Sequence, residues 1–255
     1  GSAIFDGAQQ LLSLTQIDLS GALTGGPVPG EKLPFEVNAS GSLNLATRQL
    51  GIGELNLSLP DVQAKGVSGQ LSARTSLAGQ LDEQRFVLGV ESLRGEFTGA
   101  ELPDDKLSIN ARTDVALDLL TQTLSVKKLE LAAADLKGTI SANVTQLLDA
   151  PSASGKIDLA QFSPRALLAL AGQTAPKTAD AKALTKASLS TGFSASASSL
   201  TLDKLALKLD ESTIKGDLSV PDLTKQALAF NLNIDRIDAD RYLPPADKAT
   251  EKAAK

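Results

Sequence analysis

One apolar phrase returns seven times along this chain: two apolar residues one position apart, a gap of two, then a third apolar residue. It starts at Leu12, Leu50, Leu88, Leu124, Ile157, Leu200 and Leu232, so successive starts lie 38, 38, 36, 33, 43 and 32 residues apart. Four copies carry a fourth member: Leu12, Leu14, Ile17 and Leu19; Leu50, Ile52, Leu55 and Leu57; Leu124, Val126, Leu129 and Leu131; Leu200, Leu202, Leu205 and Leu207. Of the 16 positions between those apolar residues, 15 are Ser, Thr, Gln, Asn, Asp, Glu, Lys or Gly. A chain that is 42% hydrophobic does not keep its gaps polar so regularly by chance. One supersecondary unit is stacked repeatedly.

Alternation with period two puts the apolar side chains of a segment on one face of a strand and the polar ones on the other. The two-residue gap reverses that phase once per unit. A bulge, bend or tight turn is then needed to keep the apolar residues on one side. Recurring bends curl an antiparallel sheet into a trough. Gly66, Gly69, Gly138 and Gly216 precede further alternating runs (Leu71 to Ala73, Ile140 to Ala142, Leu218 to Val220) and read as turn or kink glycines. Helical signals are few. Ser163, Pro164 and the run to Ala171, closed by Gly172, predict a short helix with a cap and an N-terminal proline. Asp180 to Ala187 and Ile4 to Leu12 are weaker helical candidates.

The expected fold is mainly β: a long curved antiparallel sheet of repeated strands forming a groove, with a few short helices. No linker divides the chain, so residues 1–245 are expected to form one repeat-built domain, and 246–255 a disordered or frayed helical tail. Aromatic residues make up only 3%, while Leu and Ala dominate. Aliphatic lining suits a thin sheet with a smooth apolar surface at least as well as a thick sandwich. The chain has no Met, and Gly1 and Ser2 read as a cloning remnant, so a fragment of a longer protein is expected. No run of about 18 apolar residues occurs. The absence of Cys permits an oxidising compartment without requiring one.

Without His or Cys, the usual general base, the thiol nucleophile and most transition-metal ligand sets are missing; no catalytic residue, cofactor or metal is expected. Asp235, Asp238 and Asp240 alternate near the C-terminus but lack the glycine and distal Glu of an EF-hand, and read as solvated carboxylates. Gly25 to Lys32 distantly resembles a phosphate loop, yet Glu31 separates Gly30 from Lys32 and two prolines remove donors; a surface loop is expected. A net charge of −5 with few aromatics offers neither a basic stripe nor a stacking platform for nucleic acid.

The C-terminal third carries a more specific pattern. Phe162 to Leu168, then Thr178, Ala179 and Asp180 with Ala183 and Leu184, then Leu200, Leu202, Lys204, Leu205, Leu209, Asp210, Lys215 and Gly216, and finally Phe230 to Pro244 through Arg241 and Tyr242, resemble the AsmA family of Gram-negative envelope proteins. The resemblance is close over about Ala150 to Pro245 and looser upstream. It implies a β-rich periplasmic body held at the inner membrane by an N-terminal helix, and kinship with the larger TamB and with bridge-type lipid transfer proteins. The family's anchor and flanking segments have no counterpart in this chain. The resemblance supplies no settled ligand residues.

The resemblance therefore implies a periplasmic module conducting phospholipid acyl chains along a hydrophobic β-groove between inner and outer membrane. From the repeat, the expected lining is Leu55, Leu57, Leu129, Leu131, Leu205, Leu207, Phe230, Leu232 and Ile234. Two alternatives stay open: the same leucines pack as an ordinary β core, or the chain is a non-enzymatic periplasmic scaffold with outer-membrane or periplasmic protein partners.

Overall fold

The computed structural model describes residues 1–25, 31–64, 66–100, 102–225 and 227–245. The phosphate-loop candidate at Gly25 to Lys32 falls mostly outside these residues, and the expected tail at 246–255 wholly outside.

Fourteen strands follow one another as an antiparallel meander: β1 Ser2–Asp6, β2 Leu11–Thr24, β3 Lys32–Asn44, β4 Gln49–Ala64, β5 Val67–Gln80, β6 Arg85–Thr98, β7 Lys106–Asp118, β8 Thr123–Ala133, β9 Leu136–Thr145, β10 Ser152–Phe162, β11 Ala187–Ser196, β12 Leu200–Leu209, β13 Ser212–Asp222 and β14 Ala227–Ile234. Each strand pairs only with its sequence neighbours, so β1 and β14 are free edges and the curved sheet stays open, not a barrel. The seven copies of the phrase fall on β2, β4, β6, β8, β10, β12 and β14. The repeating unit is a hairpin.

The two-residue gap is a bulge in six of those strands. Register slips by one residue at Thr15 and Gln16, at Gly53 and Glu54, at Glu91 and Ser92, at Lys127 and Lys128, at Ala160 and Gln161, and at Asp203 and Lys204. In β14 the strand ends at Ile234, before its gap. Two bulge residues, Gln16 and Lys204, hold φ near +51°. Strands β3, β5, β7, β9 and β11 contain no extra residue and keep one phase throughout. Each bulge thus restores phase, and the apolar residues on both sides of it share a face. Further slips at Pro60 and Asp61 of β4 and at Val220 and Pro221 of β13 put prolines where a ladder donor is dispensable.

One cross-strand row shows the result. Leu19, Val37, Leu57, Ala73, Leu93, Ala111, Leu131, Gly138, Leu159, Leu189, Leu207, Ile214 and Ile234 lie directly opposite one another from β2 to β14. No polar side chain interrupts it. Glycines on this face are covered by large neighbours: Phe86 lies over Gly79, Phe97 over Gly95 and Phe193 over Gly155, where an added Cβ would come within 2.7, 2.7 and 2.9 Å of the rings. Gly69 is covered by Phe97 and Gly138 by Leu159, whereas Gly216 lies against the Asn231 backbone and holds φ of +142°, a kinked conformation that favours glycine. Only Gly66, with φ of +81°, sits in a turn.

Five of the hairpin tips that enter the phrase-bearing strands carry all or part of one cassette. Asp6, Asn44, Asp118 and Asp222 each accept turn N–H groups through Oδ1, while Gln10, Arg48, Gln84 and Gln122 close turns with positive φ. Successive tips are tied together: the N–H groups of Leu45, Leu81, Leu119 and Leu147 donate to the carbonyls of Gln10, Arg48, Gln84 and Gln122 at 2.9 to 3.1 Å. Leu45, Leu81, Leu120, Leu148 and Leu223 stand exposed along this rim.

Helix α1, Pro164–Leu170, forms as expected, with Ser163 Oγ accepting from the Ala166 N–H. The other two helical expectations are corrected. Ile4 lies in β1, and Asp6 turns the chain into β2 at Leu11. Residues 181–185 form turns because Leu184 has φ of +61° and its N–H, with those of Thr185 and Lys186, donates to the Asp210 carboxylate. Two 3-10 turns, Pro103–Asp105 and Ala239–Tyr242, complete the described structure.

Candidate functional site

Three features bear on function: the apolar face, a cavity on the opposite face, and a clasp at the C-terminal end. By register, all nine residues singled out from the repeat lie on the apolar face. Leu57, Leu131, Leu207 and Ile234 belong to the row above, Leu55 and Leu129 sit beside it opposite Thr75 and Ile140, and Leu205 and Leu232 flank Gly216. Phe230 faces Leu218. Leu205 is buried; Leu55, Leu57, Leu129, Leu131, Leu207 and Leu232 are half-buried; Phe230 and Ile234 are exposed. With Ile17, Leu19, Leu23 and Leu88 also exposed, the face is open at β2, β6 and β14 and half-buried between them, while Ala187, Thr191, Leu205 and Ser212 are buried on it at β11 to β13.

A cavity of about 900 Å³ touches eight successive strands from β6 to β13. On β12 and β13 its wall is Ala206, Lys208, Thr213 and Lys215, whereas the intervening Leu207 and Ile214 take no part. The cavity therefore lies on the polar face. Of the nine expected lining residues only Leu131 reaches it, on the strand where Glu130 and Ala132 also border it. Its small or methyl-bearing positions are Ala132, Thr139, Ala160, Ser188, Ala206 and Thr213. Charged groups stand among them. Arg112 pairs with Glu130, which also binds Lys128 Nζ at 2.7 Å, and Lys128 followed by Arg112 draws the Glu130 carboxyl below its usual range. Asp158 accepts from Lys156 Nζ at 2.8 Å and from Ser190 Oγ at 2.6 Å, which lower its carboxyl in turn. The phrase counts apolar positions and misses this cavity. The available signal was lysine alternating with small residues at the polar positions of β9, β12 and β13: Lys137 with Thr139, Ala206 with Lys208, Thr213 with Lys215.

Six of the residues that carry the family resemblance, Arg165, Thr178, Asp180, Asp210, Arg241 and Tyr242, meet at the clasp. Arg165 donates through Nε to the Ala183 carbonyl at 2.7 Å and through Nη2 to Thr178 Oγ1. Arg241 donates to Asp180 at 2.7 Å and to Glu211 at 2.8 Å. Asp210 accepts from the Leu184, Thr185 and Lys186 N–H groups and from the Tyr242 hydroxyl at 2.9 Å. Burial pushes the Asp210 carboxyl up, but these donors together outweigh it and hold it below the usual range. Burial and the neighbouring Asp210 raise the Tyr242 phenol. Every group is occupied by a partner within the clasp, so the arrangement fastens the segment between β10 and β11 to the β12–β13 turn and to the chain after β14.

Asp235 spends Oδ1 on the Thr213 and Arg236 N–H groups. Among the described residues no cluster of three or more Asp and Glu side chains is placed to hold a metal ion, and no helix is long and apolar enough to cross a membrane. No family model, no curated protein and no solved structure matches the chain.

Proposed function

We propose that this protein is a phospholipid-transfer module whose apolar face shelters acyl chains while headgroups stay in water. One observation supports it above all: the thirteen-strand row from Leu19 to Ile234 contains no polar side chain. At a strand spacing of about 4.8 Å its contour is on the order of 58 Å, enough for several acyl chains along the sheet. Exposing a methylene to water costs roughly 0.8 kcal/mol, so a chain of about 15 methylenes crossing a wet gap would face about 12 kcal/mol. Transfer requires continuity, and the bulges provide it by keeping every strand in phase. In this proposal the protein works in the periplasm, tethered to the inner membrane, as the family resemblance implies. Its ligand is an acyl chain, and no reaction is assigned to it.

The test is lipid mass spectrometry on protein purified gently from a Gram-negative host, with phospholipid transfer measured between donor and acceptor vesicles. Copurifying phospholipid and loss of transfer in Leu207→Asp, with the far-ultraviolet circular dichroism retained, are expected. Lipid-free protein that accepts none from vesicles would refute the proposal.

A second reading, a non-enzymatic scaffold that engages protein partners in the envelope, has its own supporting observation. The exposed leucines at the hairpin tips form a line along one rim, available to a protein partner whatever the apolar face does.

A further inference from the structure

We propose that the cavity on the polar face is a second ligand site, built for an anionic amphiphile and independent of the acyl-chain role assigned to the opposite face. Its charge differs from that of the chain. The protein carries a net charge of −5, yet the cavity is bordered by five cations and three carboxylates: Arg94, Arg112, Lys137, Lys208 and Lys215 against Glu91, Glu130 and Asp158.

Pairing sharpens the imbalance. Glu130 is satisfied by Lys128 and Arg112, and Asp158 by Lys156 and Ser190. No ion pair or side-chain hydrogen bond engages Arg94, Lys137, Lys208 or Lys215 among the described residues, and of the carboxylates only Glu91 is likewise unengaged. Four unengaged cations around one concavity attract negative charge, and the attraction is strengthened by the low-dielectric wall beside them.

Between the cations the wall is carbon-rich, made of alanines, a glycine, threonine methyls, parts of Leu93, Leu131, Leu159 and Leu189, and the stems of the lysines and arginines. A free inorganic anion would leave that wall wet. A hydrocarbon tail with a phosphate or carboxylate head uses both parts: the tail lies along the small side chains and the head meets a lysine or arginine. Arg94 and Lys137 lie three strands apart, as do Lys137 and Lys208, which is about 14 Å in each case at ordinary strand spacing. The head can therefore be met at either end or near the middle of an extended tail.

The experiment is calorimetric titration of the full chain, at concentrations below micelle formation, with dodecyl phosphate, dodecanoate, dodecyltrimethylammonium and inorganic phosphate. Saturable binding of dodecyl phosphate or dodecanoate is expected, and the tighter of the two assigns a phospholipid-type or a fatty-acid source. Lys137→Glu and Lys208→Glu should each weaken it about tenfold, and binding should fall with rising salt. Both lysines are exposed on a sheet face, and an unchanged melting curve in the variants confirms intact folding. Leu207→Arg, Leu57→Asp and other changes on the opposite face, at residues that do not border the cavity, test the transfer proposal, not this one. Equal binding of dodecyltrimethylammonium, equal affinity for inorganic phosphate, or charge reversals without effect would each overturn the assignment.

Discussion

Replacing Asp210 by alanine tests whether the clasp, and not the sheet ladder alone, holds the C-terminal end together. The side chain accepts four hydrogen bonds, from the Leu184 N–H at 2.8 Å, the Thr185 and Lys186 N–H groups at 3.1 Å and the Tyr242 hydroxyl at 2.9 Å. A hydrogen bond to a charged group contributes about 1.5 to 3 kcal/mol. The half-buried setting, water access to the orphaned donors and the non-additivity of shared partners reduce four such bonds to a total of about 3 kcal/mol. Repeat-built sheets lose stability locally. The change should therefore appear as roughly 100-fold faster amide exchange at Leu184, Thr185 and Lys186, with the amides of β3 to β6 unaffected. Asp210→Asn keeps one carbonyl acceptor and should show a smaller loss. pH supplies a second readout of the same group. Because the folded-state pKa is lowered, the clasp is fully effective above the ordinary aspartate value of about 3.9 and weakens as pH falls through the lower folded-state value. Unchanged exchange at Leu184 to Lys186 in Asp210→Ala would refute the reasoning.

Thr113 Oγ1 is buried on the apolar face and finds no hydrogen-bond partner among the described residues, so Thr113→Val should stabilise the protein by about 1 kcal/mol in a denaturant titration. Gly79→Val forces a side chain into Phe86, whose Cδ1 lies 2.7 Å from the ideal Cβ position; a loss of about 1 to 3 kcal/mol in the same titration is expected. Deleting Gly53 removes one bulge and reverses the phase of half of β4. Aggregation or loss of the cooperative transition is expected by light scattering and thermal melting. Leu19→Asp alters a side chain that is 57% exposed, so it should leave the melting temperature within a few degrees while slowing phospholipid transfer between vesicles.

The strand-to-strand logic was legible because it is local: spacing and gap polarity specify alternation, and the gap specifies a bulge wherever Leu14 to Ile17 or Leu202 to Leu205 must share a face. The short helix was legible for the same reason, since Ser163 and Pro164 act within one turn. The failed helices fail through distant partners. Asp180 to Ala187 has helical composition, but Asp210, more than twenty residues away, takes its N–H groups. Ile4 to Leu12 is interrupted by the Asp6 turn, and Phe5 finds Leu12 across the hairpin. Gly69 and Gly138 were read as kinks because the side chains that cover them, Phe97 and Leu159, lie on neighbouring strands, whereas Gly216, with φ of +142°, agrees with that reading. For the candidate sites, the nine leucine-set positions gather on one face as the period requires, whereas the polar cavity depends on which cations remain unpaired after folding. That is a property of cross-strand pairing between β6 and β13, invisible to spacing along the chain.

Because phase repair is completed inside each of the six hairpins whose phrase runs its full length, the architecture is indifferent to how many such hairpins it contains. Gaining or losing one such module changes reach by two strand widths, about 10 Å, without turning any side chain to the wrong side. Span can therefore be tuned by gene duplication or deletion in whole modules, making the molecule a ruler whose graduations are set by DNA length and not by new chemistry.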